Sequence, residues 1–123
     1  MSQAKTILTV DDSRTIRDML AVTLTSAGYE VVQAEDGVEA LERLQELKPA
    51  AIVTDINMPR MDGFALIGEV RRNADHRATP ILVLTTESEP DRKARAKEAG
   101  ATGWIVKPFN PEKLLDALRR VGA

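Results

Sequence analysis

The stretch Ala51-Ile52-Val53-Thr54-Asp55-Ile56-Asn57-Met58-Pro59 constrains the fold more than any other part of this chain. Four apolar or β-branched residues run directly into a carboxylate, and a short turn with a proline follows. An apolar run of this length indicates a buried strand, and a strand buried on both faces belongs to a parallel sheet. Asp55 would then lie at the carboxyl end of a central strand, where open α/β sheets bind ligands. The competing interpretation is an aspartate that caps a turn.

Strand and helix patterns alternate five times along the chain. The predicted strands are Thr6–Val10, Tyr29–Ala34, the stretch before Asp55, Pro80–Leu84 and Gly103–Val106. A helix follows each strand and begins at a capping residue or a proline, such as Ser13, Asp36 or Pro90. The short connections predict a parallel sheet with helices on both faces, joined by right-handed crossovers.

Helical spacing predicts which side chains face the core. The inward-facing residues are expected to be Ile16, Met19, Leu20 and Leu24 in the first helix, Val38, Leu41 and Leu44 in the second, Phe64, Ile67 and Val70 in the third, and Leu114, Leu115, Leu118 and Val121 in the fifth. The fourth helix is rich in alanine and charge, so we expect it to pack lightly.

Composition bounds the class of protein. With 123 residues, 43% of them hydrophobic, the chain has the size and apolar content of one domain over residues 1–123, with no second domain. The absence of cysteine excludes a disulfide scaffold, a thiolate metal site and a cysteine nucleophile. No apolar run reaches membrane-spanning length, which predicts a cytoplasmic protein. The net charge of −2 argues against nucleic acid as the main partner.

Polar residues directly follow four of the predicted strands. They are Asp11 and Asp12, Asp55, Thr85 and Lys107. Because the carboxyl ends of parallel strands lie at one edge of the sheet, we expect these residues to converge. Three carboxylates in one place repel one another, and a divalent cation removes that conflict. Oxygen ligands suit Mg²⁺, whereas a chain without cysteine and with one histidine argues against zinc.

Such a site leaves metal positions open for the oxygens of a phosphoryl group. Lys107 and the hydroxyl of Thr85 could neutralise and hydrogen-bond that group, while Asp55 could attack phosphorus as a covalent nucleophile. The set Asp11-Asp12, Asp55, Thr85 and Lys107-Pro108 thus predicts phosphoryl chemistry at one sheet edge.

These residues, with the run Asp55-x-x-Met58-Pro59-x-Met61-Asp62-Gly63, resemble the receiver domain of two-component response regulators, most of all its stand-alone, CheY-like chemotaxis members. The resemblance covers the whole chain. It implies a flavodoxin-like (βα)5 three-layer sandwich whose parallel sheet has the strand order 2-1-3-4-5. It also implies a cis peptide bond between Lys107 and Pro108.

The resemblance implies a role for each site residue. Asp55 would accept phosphate from a histidine kinase. Mg²⁺ would be bound by the side chains of Asp12 and Asp55 and by the backbone carbonyl of Asn57, with Asp11 acting through water. Lys107 would pair with the phosphoryl group.

The switch residues depart from the family pattern in two places. Thr85 follows the pattern and would move to hydrogen-bond the phosphoryl group. The first departure is Trp104, which stands where the family usually has Tyr or Phe. An indole is larger and its N–H needs a partner when buried, so an inward rotation and a fixed residue at the rim both remain open. Thr86 stands where a smaller residue is frequent. Asn57 and Glu87, each two places past an active-site residue, lie where attacking water could be steered; plain solvent exposure is the alternative.

The fourth helix carries a cluster of basic residues near Trp104. They are Arg92, Lys93, Arg95 and Lys97. The resemblance implies a partner face from helix four to helix five that takes a short acidic or amphipathic peptide; a solvated helix face is the alternative. His76, the single histidine, is expected at the surface of a polar link.

The resemblance therefore implies a phosphorylation-activated regulator that signals by binding proteins, in chemotaxis or flagellar motor control. Its expected partners are a chemotaxis kinase, a flagellar motor switch protein and a phosphatase, with the chain itself a monomer. Two alternatives remain open, a phosphate sink that drains the kinase and a Mg²⁺-dependent aspartyl-phosphate phosphatase. An unphosphorylated scaffold is a third. The chain itself is expected to be no enzyme beyond its own phosphorylation and slow dephosphorylation.

Overall fold

Five parallel strands form the centre of the molecule in the computed structural model, which describes residues 4–86 and 88–123. The strands are β1 (Thr6–Val10), β2 (Glu30–Ala34), β3 (Ala51–Thr54), β4 (Ile81–Thr85) and β5 (Gly103–Val106). All neighbouring strands pair in parallel, in the order β2-β1-β3-β4-β5. The predicted fold class and strand order are therefore confirmed.

A helix follows each strand. The helices are α1 (Arg14–Ser26), α2 (Gly37–Leu44), α3 (Gly63–Arg72), α4 (Pro90–Ala99) and α5 (Pro111–Arg120), with a short 3-10 helix at Ala74–His76. The predicted caps are present: the side chain of Ser13 accepts the N–H of Ile16, and Asn110 accepts two N–H groups of α5. Within residues 4–86 and 88–123, no helix is long and apolar enough to cross a membrane.

The buried apolar residues form a cluster on each face of the sheet. Because successive strand residues point to opposite faces, Ile52 packs with one cluster and Val53 with the other. The first cluster is covered by α2, α3 and α4 and the second by α1 and α5. Within α4, all of which is described, Ala96 is the buried residue, as expected for a helix poor in large apolar side chains.

Two predicted placements are wrong. Met19 is 46% exposed, because the inward row of α1 follows Ile16, Leu20 and Leu24 at intervals of four residues. His76 is not at the surface but buried, with 2% of its area exposed. The 3-10 turn that contains it lies against the end of α2, and its Nε2 is 2.9 Å from the carbonyl oxygen of Leu44.

Candidate functional site

The ends of the parallel strands bring the predicted polar residues to one edge of the sheet. Backbone hydrogen bonds continue past the strands themselves: the N–H of Asp55 donates to the carbonyl of Val10 at 2.9 Å, and that of Lys107 to the carbonyl of Thr85 at 2.8 Å. These bonds fix the first residue after β3 beside β1 and the first residue after β5 beside β4. The backbone positions from which the side chains of Asp55 and Lys107 extend are therefore rigid.

Three carboxylates meet at this edge, as predicted. Asp11, Asp12 and Asp55 each offer an oxygen, and these oxygens lie within 4.8 Å of one another. The Nζ of Lys107 is 2.8 Å from Oδ2 of Asp11 and 3.0 Å from Oδ2 of Asp55. Asp11 and Asp55 are buried, Asp12 is exposed, and Thr85 is fully buried at the end of β4. Lys107 thus bridges two of the three acids.

Backbone donors hold the remaining oxygens of the two buried acids. Oδ1 of Asp55 accepts the N–H of Ile56 at 2.7 Å, and Oδ1 of Asp11 accepts that of Ser13 at 2.9 Å. The guanidinium of Arg17 in α1 donates to the backbone carbonyl of Asp11 at 2.6 Å. Arg17 was not predicted as a site residue, although its place one turn after the cap of α1 puts it on the side of the helix that faces the strand end.

Burial and ion pairing shift the protonation equilibria of the site. Burial raises the pKa of Asp11 above its usual range, even though Lys107 and the Ser13 N–H stabilise the carboxylate. Burial alone would lower the pKa of Lys107, but its hydrogen bonds to Asp11 and Asp55 outweigh this and raise the pKa overall. Lys107 is therefore a fixed positive charge at neutral pH, directly beside Oδ2 of Asp55.

The loop after β3 packs closely against the site. A Cβ on Gly63 would lie 2.3 Å from the carbonyl oxygen of Asp55, so a residue without a side chain is required there. The N–H of Gly63 donates to the carbonyl of Ile56 at 2.8 Å. Asn57, whose carbonyl was predicted to bind metal, is exposed in this loop. The peptide bond between Lys107 and Pro108 is cis, as predicted.

The ligand chemistry of the acidic cluster fits a magnesium ion. The donors are carboxylate oxygens, with one exposed acid beside two buried ones, and Mg²⁺ binds through one or two carboxylates while keeping several waters. Three carboxylates against one ammonium also leave negative charge that a dication would balance. Asp12, Asp55 and Asn57 remain the predicted ligands.

Trp104 lies on β5 opposite Val83 of β4 and is half-buried. It packs against the cluster under α4 and lines a groove together with Lys93 and Lys97. A second groove on its other side leads to α5. The predicted basic surface beside Trp104 is therefore supplied by Lys93 and Lys97.

The other predicted switch residues are more scattered. The guanidinium of Arg95 lies over the ring of Phe64 in α3, 4.1 Å from the ring centre, rather than in the groove beside Trp104. Arg92 is half-buried and Thr86 is exposed. Glu87 lies outside the described residues.

Comparison with known proteins identifies the family. Residues 7–119 match the family model described as the response regulator receiver domain. The chain belongs to this family. The receiver domain is similar to the chemotaxis protein CheY4 of Vibrio cholerae, with 50% identity and a TM-score of 0.93 over 97% of this chain and 99% of that one.

Two further relatives show how varied the proteins with this domain are. The receiver domain of the sensor histidine kinase PA1611 of Pseudomonas aeruginosa PAO1, solved with a magnesium ion in its active-site cleft, is 28% identical, with a TM-score of 0.90 over 98% of this chain and 100% of that chain. The probable transcriptional regulator ycf27 of Porphyridium aerugineum is 38% identical over 97% of this chain but only 48% of its own length. The chain thus spans about half the length of the curated relatives it matches.

Proposed function

We propose that this receiver domain is a phosphorylation-controlled switch in which Asp55 accepts a phosphoryl group from a histidine kinase. The observation that carries the proposal is the position of Oδ2 of Asp55, 3.0 Å from the ammonium of Lys107 and next to two further carboxylates. Oδ1 is occupied by a backbone N–H, so Oδ2 is the oxygen that faces the charged groups. An aspartate that only caps a turn does not require a lysine ammonium and two further carboxylates beside it.

The transfer is a displacement at phosphorus. Oδ2 of Asp55 attacks the phosphorus of a phosphohistidine, the P–N bond breaks, and its electron pair stays on the imidazole nitrogen, which takes up a proton. The product is an acyl phosphate on Asp55. Lys107 would then pair with a phosphoryl oxygen, and the Thr85 hydroxyl would reach another.

Magnesium is the cofactor that the acidic cluster suits. Asp12, Asp55 and the carbonyl of Asn57 would hold it, with Asp11 acting through water, and it would supply positive charge to the phosphoryl oxygens. The magnesium ion in the cleft of the PA1611 receiver domain supports this assignment.

For the output we propose phosphorylation-dependent protein binding in chemotaxis. Similarity to CheY4 of Vibrio cholerae over 99% of that chain supports it. The groove between α4 and β5, with Lys93 and Lys97 beside Trp104, suits an acidic or amphipathic segment such as one from a flagellar motor switch protein. A phosphate sink would take up phosphate without such binding. The similarity to ycf27, a probable transcriptional regulator, favours a second output, the control of transcription.

The first experiment adds Mg²⁺ and acetyl phosphate and follows the intact mass and the fluorescence of Trp104, with Asp55→Asn in parallel. We expect one added phosphoryl group in the wild type and none in the variant. Unchanged uptake in Asp55→Asn would refute the assignment. Turnover of a small phosphomonoester would instead indicate a phosphatase, because a switch hydrolyses only its own acyl phosphate. Binding of the phosphorylated form to a motor switch segment separates the motor output from the phosphate sink.

A further inference from the structure

An ion pair ties the loop after the phosphoacceptor strand to the start of α2. The guanidinium of Arg60 donates from Nε to Oδ2 of Asp36 at 2.8 Å and from Nη2 to Oδ1 at 3.0 Å. The Asp36 side chain is only 5% exposed, and it also accepts the N–H of Glu39 at 2.9 Å as the cap of α2. A bidentate pair of this kind fixes orientation as well as distance. Arg60 therefore reaches from a loop to an immobile anchor.

The backbone of Arg60 makes this contact unusual. Its φ of 64° lies in the left-handed region. Among the residues that the structure describes, no other residue except glycine has a positive φ. Arginine rarely adopts this conformation, so surrounding contacts must hold it there. A backbone contact next to it points to the same anchor, since the N–H of Gly37 donates to the carbonyl of Met61 at 3.4 Å.

These contacts leave little freedom to the residues that follow Asp55. The carbonyl of Ile56 is held by the N–H of Gly63 at 2.8 Å, and Arg60 is held by Asp36. The intervening segment is Asn57, Met58 and Pro59, which includes the predicted carbonyl ligand of the metal. The ion pair therefore restricts the conformations open to this segment, in addition to the backbone contact between Met61 and Gly37.

We propose that Arg60, through its ion pair with Asp36, is a positioning residue that holds the Asn57–Pro59 segment in the conformation required for Mg²⁺ binding. The inference rests on the proposed function, because it concerns the same metal site. It assigns to α2 a direct mechanical link to the phosphoacceptor loop. Neither residue contacts the acids of the site in the described structure, so both act through the loop.

The sign of the effect separates positioning from electrostatics. Loss of Arg60 removes a positive charge, which by Coulomb's law alone strengthens the binding of a cation. Loss of the Asp36 charge does the opposite. Positioning predicts that both changes weaken Mg²⁺ binding, and that the double variant is no weaker than either single one, since each breaks the same contact.

The experiment measures Mg²⁺ binding by titration calorimetry, with no phosphodonor, on the wild type, Arg60→Gly, Asp36→Asn and the double variant. Glycine adopts the positive φ without strain, and asparagine still caps α2, so both variants keep the local fold. Arg43→Gln is the matched control, because Arg43 lies on α2 and contacts Glu39 and Gln33 rather than the loop. Thermal melts monitored by circular dichroism check that each variant is folded.

We expect Arg60→Gly and Asp36→Asn to bind Mg²⁺ on the order of tenfold more weakly, as is typical when an outer partner of a metal ligand is lost. Arg60→Lys, which can still reach Asp36, should recover part of the affinity, and Arg43→Gln should bind as the wild type does. If Arg60→Gly binds as tightly as Arg43→Gln, the positioning role is overturned while the proposed function stands. If the wild type itself binds no Mg²⁺, the proposed metal site and this inference are both refuted.

Discussion

Gly63 offers the sharpest test of how the fold positions Asp55. In Gly63→Ala the new Cβ would lie 2.3 Å from the carbonyl oxygen of Asp55 and 2.8 Å from Cα of Ile56. Both distances are roughly an ångström or more shorter than a favourable contact, and both partners are backbone atoms that cannot rotate away. The start of α3 and the residue that carries the phosphoacceptor must therefore move apart.

The expected magnitude follows from two contributions. Overpacking of this kind destabilises by about 1–3 kcal/mol, and loss of the hydrogen bond from the Gly63 N–H to Ile56 adds about 1 kcal/mol. We therefore expect Gly63→Ala to lower the free energy of unfolding by about 2–4 kcal/mol. Gly68→Ala is the matched control on the same helix, because its Cβ would meet only the Arg72 guanidinium at 3.8 Å. Helix propensity predicts that this control is stabilised by up to about 1 kcal/mol.

Urea unfolding monitored by circular dichroism measures both free energies, and intact mass after treatment with acetyl phosphate and Mg²⁺ measures phosphorylation. We expect Gly63→Ala to be less stable and to take up phosphate more slowly even in the folded state, whereas Gly68→Ala should match or exceed the wild type in both. Equal stability and equal uptake in the two variants would refute the argument that the approach of α3 fixes Asp55.

Three further predictions concern single contacts. Lys107→Met should lower the free energy of unfolding by up to about 3 kcal/mol, because it leaves two carboxylates without their ammonium; Mg²⁺ should restore much of the loss in a thermal melt. The hydrogen bond from Arg60 lowers the pKa of Asp36, so this contribution to stability is present above the unfolded value of about 3.9 and is lost as pH falls through the lower folded value. The difference in unfolding free energy between wild type and Asp36→Asn should thus shrink at acidic pH. Asn110→Ala should destabilise α5 by about 1 kcal/mol, measured by urea unfolding.

The meeting of Asp11, Asp55 and Lys107 could be predicted because it follows from topology. Each residue directly follows a buried apolar strand, and parallel strands end at one edge. The hydrogen bonds that extend the ladder beyond the strands make the convergence rigid without any further signal in the sequence. The caps were equally predictable, since Ser13 and Asn110 act on residues two or three positions away.

The contacts that the sequence did not reveal are tertiary. Arg60 follows a proline in a turn, and nothing local indicates that its backbone has positive φ or that it reaches Asp36, 24 residues earlier. His76 was misplaced because a polar link normally lies in solvent. Its burial depends on how the 3-10 turn meets the end of α2, where Leu44 offers a carbonyl to its ring.

The charge balance of the site gives one more testable consequence. Three carboxylates meet the ammonium of Lys107 and the guanidinium that Arg17 places on the backbone carbonyl of Asp11, so negative charge remains in excess among the described residues of the site. Phosphorylation of Asp55 exchanges one carboxylate charge for about −1.5 to −2 and so increases the imbalance. The rate of phosphate uptake should therefore fall by at least about tenfold when Mg²⁺ is removed with EDTA. A tenfold lower rate requires the activation free energy to rise by only about 1.4 kcal/mol. Asp12→Ala should need more Mg²⁺ to reach the same rate, and equal rates with and without metal would show that Lys107 alone balances the phosphoryl charge.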